Sequence, residues 1–240
     1  ARRLNNHSRV NEEIALDISV TTGNILEQQA DAIVLNLFEG VDEPWGATGA
    51  ADKALNGTIR NLIAGGDFTG KFQQTSLLYP QDGIAAKRLI LVGLGKKEEF
   101  VLDRVRQVSA VAAQQARELG AKHLATILPG SGAGDLNTAD TAQAVVEGAL
   151  LGTYRFLHYK TEDQDETDDL EHLTLVEFDV SRQAEIERGA LTGQIVAGGV
   201  CLARDLASYP GNEMTPTVLA ERALEMADGV GLRCEVLDEN

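Results

Sequence analysis

Ala32-Ile33-Val34-Leu35 sets four apolar residues in a row without a polar break, the composition of a strand buried on both faces in the middle of a sheet. On its N-terminal side, Ile14, Leu16, Ile18 and Val20 alternate with other residues, the period-two mark of a half-buried strand. On its C-terminal side, Ala51, Leu55, Ile59, Leu62 and Ile63 recur at three- and four-residue steps, which predicts one helix ended by Gly65-Gly66. Thr75 to Tyr79 and Arg88 to Val92 then read as strands, joined through the turn chemistry of Pro80-Gln81-Asp82-Gly83.

The helical period returns at Val101, with Val105, Val108, Ala112, Ala116 and Leu119 on the same face and Gly120 as the stop. Leu124 to Leu128 is the next strand. Thr138 is placed to cap a helix whose stripe is Ala142, Val145, Val146, Ala149 and Leu150, and Leu173 to Phe178 has the residue types of another strand. Strands and helices do not alternate strictly, so the expected fold class is α/β, a mixed sheet with helices on its faces. From Ser181, the stripe Ile186, Ala190, Leu191, Ile195, Val196, Val200, Leu202 and Leu206 predicts one long helix. Gly189, Gly193, Gly198 and Gly199 within it each cost about 1 kcal/mol relative to Ala, which suggests close packing against another element. Thr215 caps a further helix with Pro216 at its first position, Leu219, Ala223 and Met226 as its buried face and Gly229 at its close; Leu232, Cys234 and Val236 alternate as a strand.

Composition narrows the function. With 37 acidic against 21 basic residues the formal charge is -16, which opposes a general role on nucleic acid, where Lys and Arg supply most of the affinity. Much of the excess lies in Thr161 to Glu171, read as a solvated loop because it lacks the Gly and alternating ligands of a calcium site. No apolar run approaches the ~18 residues of a membrane span, and Ala1 to His7 lacks the apolar stretch of a secretory signal, so a cytoplasmic home is expected. Cys201 and Cys234, without short spacing or a neighbouring His, read as buried structural thiols.

Candidate chemistry is sparse. His7, His123, His158 and His172 show no zinc-helix spacing, and no Ser sits in a nucleophile elbow. Gly93-Leu94-Gly95-Lys96-Lys97 and Pro129 to Asp135 miss the phosphate-loop and dinucleotide patterns and read as flexible turns. Asp205 and Glu213 have ordinary helix-end roles. Gly23-Asn24-Ile25, Asp31 to Asn36 and the loop Gly46-Ala47-Thr48-Gly49-Ala50-Ala51 resemble the first strand-loop-helix of macro domains, which bind ADP-ribose. Leu37-Phe38-Glu39 replace that family's nucleotide-binding sequence, and Glu39 would repel a diphosphate.

The segment Leu202-Ala203-Arg204-Asp205-Leu206-Ala207-Ser208-Tyr209-Pro210-Gly211-Asn212-Glu213-Met214-Thr215-Pro216 resembles the entrance to the catalytic domain of the leucyl (cytosol) aminopeptidases. Gly66 to Lys71, Arg88 to Lys96 and Glu147 to Phe156 are similar to the N-terminal domain of the same family, so the likeness covers nearly the whole chain. It implies a macro-like N-terminal domain over residues 1–178, a linker helix over 179–208 and the start of a catalytic domain over 209–240. It also implies a hexameric parent protein that removes N-terminal residues from peptides with two divalent cations, zinc or manganese, held by Lys, Asp and Glu. None of those ligands or catalytic residues has a counterpart up to Asn240, so no catalytic, cofactor-binding or metal residue is assigned, and the segment by itself is expected to be inactive. The competing readings are an ADP-ribose module and a DNA-contacting domain. Gel shift of a DNA duplex at low and moderate salt is expected to show no retarded band, and a band weakening with salt would restore the DNA reading.

Overall fold

The computed structural model describes residues 16–130, 136–159 and 169–237. Ile14, His7, Ser131 to Asp135 and residues 161–168 of the acidic run lie outside them. Two compact units are present, Leu16–Ala197 and a smaller one whose described part begins at Gly198.

In the larger unit the buried run extends to form β2 (Ala32–Phe38), and all its residues except Asn36 are buried. It pairs in parallel with β4 (Leu89–Gly95), buried at every position, and on its other side with β5 (His123–Thr126). The six-stranded sheet is completed by β1 (Asp17–Thr22), β6 (His172–Glu177) and the antiparallel edge strand β3 (Thr75–Leu78), in the order β1-β6-β5-β2-β4-β3. Helices on both faces explain the absence of alternation in β2 and β4. On one side α1 (Gly46–Ala54) and α2 (Thr58–Gly65) cover Ile33, Leu35, Leu89 and Leu91, with Phe68 fully enclosed beside them. On the other α3 (Leu102–Glu118), α4 (Thr138–Thr153) and the first half of α5 (Gln183–Ser208) cover Val34, Ile90, Val92, Leu124 and Leu173.

Asp31, just ahead of β2, fastens three strand starts together. Its carboxylate accepts Lys87 Nζ at 2.9 Å and the backbone N–H groups of Lys122 and His123 at 3.1 and 3.2 Å. The Lys87 hydrogen bond and the two backbone donors hold the carboxyl below its ordinary 3.8 despite partial burial.

Several expectations need correction. The single helix over Ala51–Ile63 is two helices, because Asn56 and Gly57 adopt left-handed φ of 54° and 84°. The buried Asp52 of α1 then accepts Arg60 N–H at 3.0 Å and Arg60 Nε at 2.7 Å, satisfying a donor in the first turn of α2. Asn137, not Thr138, caps α4, accepting Asp140 N–H at 3.1 Å, while the Thr138 hydroxyl accepts Arg182 Nη2 at 2.8 Å. Gly93 and Gly95 lie inside β4 rather than in a turn.

The largest correction concerns α5, whose buried face is Ile186, Gly189, Ala190, Gly193 and Ala197. Leu191 and Ile195 are instead 58% and 68% exposed. A Cβ on Gly189 would lie 2.1 Å from the Ala139 carbonyl oxygen, and one on Gly193 would lie 2.8 Å from that of Gln143. The contact with α4 thus selects the smallest side chains, not the largest. The same device joins α4 to α3, since a Cβ on Gly148 would meet Arg106 O at 2.2 Å and one on Gly152 would meet Ala110 Cβ at 2.7 Å. The packing inferred from the helix glycines therefore holds at Gly189 and Gly193 but not at Gly199, where a Cβ would meet nothing within 4 Å among the described residues.

In the smaller unit α5 runs on to Ser208, and α6 (Pro216–Gly229) begins as expected, with the Thr215 hydroxyl accepting Val218 N–H at 3.3 Å. Of its expected buried face, Ala223 and Met226 are half-buried, Leu219 is exposed, and Ala227 is the buried residue. Residues 232–237 form no strand, since an extended segment needs a ladder partner for its N–H and C=O groups and none among the described residues pairs with it. Cys201 and Cys234 are free and half-buried rather than buried. Burial pushes the Cys201 thiol up, away from the reactive thiolate.

Gly148→Ala and Gly189→Ala are each expected to lower unfolding stability by about 1–3 kcal/mol through overpacking. Gly199→Ala, in open space, should instead stabilise its helix by up to about 1 kcal/mol; urea midpoints and helical circular dichroism read both. The depressed Asp31 carboxyl contributes stability that is complete above about pH 4 and is lost as pH falls through its lower folded value. Unfolding midpoints measured between about pH 2 and pH 6 are expected to lose part of their acid slope in Asp31→Asn.

Candidate functional site

β2 is flanked by β4, reached by way of α1, α2 and β3, and by β5, reached by way of α3 on the opposite face, and in open α/β sheets the crevice outside the strand carboxyl ends at such a reversal is where ligands bind. Here, among the described residues, aromatic side chains pack at the strand ends. Phe38, ending β2, meets Phe100 edge to face with ring centroids 5.0 Å apart, and both are buried. Gly130 presses on the same ring, since a Cβ there would lie 2.5 Å from Phe100 Cε1. Alongside, Gly70 to Gln74 runs against the end of β4 through Gly95 N–H to Gly70 O at 2.9 Å, Gln73 N–H to Gly93 O at 3.0 Å and Gly93 N–H to Gln74 O at 2.8 Å. The space that a Cβ on Gly93 would need is taken by the Lys71 carbonyl oxygen, 2.0 Å away. A backbone so covered cannot cradle a phosphate.

Other sequence candidates are placed as follows. The loop before α1 does open a helix at Gly46, but the Thr48 hydroxyl is spent on the Asn36 carbonyl at 2.8 Å. The N–H of Glu39 donates to Gly95 O at 2.9 Å, which sets this carboxylate at the same strand ends. Sheet register brings His123 and His172 side by side, with ring centroids 6.1 Å apart, and places Asp17 Oδ2 3.4 Å from His172 Nδ1. Their separation in sequence hid this row, and only the strand pairing could have revealed it. His123 Nε2 meets Thr174 Oγ1 at 2.8 Å, and Thr174 in turn meets Ser19 Oγ at 2.9 Å. Among the described residues no group of three or more His, Cys, Asp or Glu is arranged to hold a metal ion. Metal ions of the kind implied by the sequence resemblance therefore do not fit the residues described. No helix among them is long and apolar enough to cross a membrane.

Beneath the crevice a cavity of ≈ 10 Å³ lies between the sheet and the helices α3 and α4, lined mostly by apolar residues but also by Asn36, Ser109 and Thr126. Asn36 Nδ2 is buried with no hydrogen-bond partner among the described residues.

The sequence model described as "Cytosol aminopeptidase family, N-terminal domain" matches residues 34–163. The chain belongs to the cytosol aminopeptidase family. A probable cytosol aminopeptidase of Roseiflexus castenholzii is 40% identical over 224 residues, covering 92% of this chain and 42% of that protein. A tomato leucine aminopeptidase mutant superposes with a TM-score of 0.74 at 25% identity, over 90% of this chain and 43% of that one. A Trypanosoma brucei macrodomain in complex with ADP superposes at TM-score 0.56 and 14% identity, over 72% of this chain and 68% of that one, a likeness of fold alone. The chain spans less than half the length of the cytosol aminopeptidases it matches, and the region matched by the family's N-terminal domain includes both Phe38 and Phe100.

Proposed function

We propose that this chain is the N-terminal, non-catalytic portion of a metal-dependent leucyl aminopeptidase, with a structural, assembly or regulatory role. In this reading residues 1–178 are the macro-like domain, 179–208 the connecting helix and 209–240 the beginning of the peptidase domain. The observation that carries it is the packed crevice: at the strand ends where this fold would take a small ligand, Phe38, Phe100 and Gly130 among the described residues lie against one another.

Peptide hydrolysis by paired metals needs several carboxylates converging on two cations about 3.5–4 Å apart. Those groups, with zinc or manganese between them, belong to the remainder of the parent, which would cleave N-terminal residues from peptides as a cytoplasmic hexamer. This chain's contribution is a stable body beside that chemistry. The ADP-ribose alternative is not favoured by the aromatic packing or by Glu39, and the charge of -16 speaks against DNA.

Leucine p-nitroanilide with zinc or manganese is expected to give no turnover above the metal blank with the 240 residues alone. Calorimetric titration with ADP-ribose is expected to give no binding heat. Turnover would overturn the non-catalytic assignment, and a micromolar isotherm would promote the nucleotide-binding one.

A further inference from the structure

We propose that the cavity under the crevice is a binding site for a single structural water molecule, held by Asn36, Ser109 and Thr126. The cavity volume of ≈ 10 Å³ is at the threshold of about 10–15 Å³ that one water requires. No charged side chain lines it, which removes ions from consideration. Its polar groups nevertheless make a complete set for a neutral molecule that both donates and accepts.

Asn36 Nδ2, from the central strand, is a buried donor with no acceptor among the described residues, a state that buried amides rarely keep. Thr126, on β5, donates its own hydroxyl proton to Ile127 O at 3.0 Å, so its oxygen is left to accept. Ser109, on α3, presents a hydroxyl able to do either. A water accepting from Asn36 and donating to Thr126 and Ser109 makes three hydrogen bonds, the usual number for a buried water. It ties two strands to the helix layer where Phe38 and Phe100 close the crevice.

A crystal structure of the protein at a resolution that shows ordered solvent is expected to place one peak within hydrogen-bonding distance of Asn36 Nδ2, Ser109 Oγ and Thr126 Oγ1. An empty cavity, or an Asn36 amide turned so that its nitrogen donates to a protein carbonyl, would overturn the proposal. In solution, oxygen-17 relaxation dispersion is expected to lose the signal of one long-lived water in Ser109→Val, whose added methyl group takes the space. An unchanged dispersion in a folded variant would count against it, and the crystallographic test stands even if that variant does not fold.

Discussion

Backbone lies against backbone along the helix layer, and the rest of the larger unit depends on that distance. Gly148 and Gly152 bring α4 onto α3, and Gly189 and Gly193 bring α5 onto α4, at separations where any side chain would collide with a carbonyl or a Cβ. With the helices drawn in this far, Val105, Val108, Val145 and Leu150 can pack against Val34, Ile90 and Leu173, leaving only the small cavity beside Asn36. Glycine in a helix interior costs conformational entropy, but here a methyl group would cost more.

The packed crevice shows how a fold shared with a macrodomain can carry different side chains at its strand ends. The topology still places the strand carboxyl ends where a ligand would sit. Two Phe rings and the Gly70 to Gln74 segment pack at that position, and the Glu39 backbone joins them through Gly95 O. Likeness of fold and difference of site coexist without conflict because the sheet is set by β2 and β4 and the site by a few residues at their ends.

The sheet was legible in the sequence because its central strands are unbroken apolar runs and its flanking strands alternate. The helical stripes of α3 and α4 were legible for the same reason. The division of α1 from α2 was carried by Asn56-Gly57, a turn dipeptide outweighed in the sequence reading by the apolar period on either side. The α5 face was misread because periodicity weighs large apolar residues, whereas contact at backbone distance rewards Gly and Ala. The crevice was half legible: Leu37-Phe38-Glu39 marked it as unlike a nucleotide site, but the partnership of Phe38 with Phe100, 62 residues on, exists only in the folded chain. So does the row of Asp17, His172 and His123, which strand register alone assembles.

The glycines that let α3 and α4 meet recur four residues apart, about one helical turn, and their contacts on Arg106 and Ala110 advance in the same direction along both helices. Notches with that repeat resemble the teeth of a ratchet, because a slide of one turn brings another notch into nearly the same place. Apolar packing discriminates weakly between such settings. Glu147, 4% exposed, forms an ion pair with Arg106 and accepts Gln143 Nε2 at 2.6 Å. A slipped setting would strand that carboxylate in the interior, at a cost of about 3–5 kcal/mol. The buried charge thus acts as the pawl, selecting one setting among those the glycines leave mechanically open.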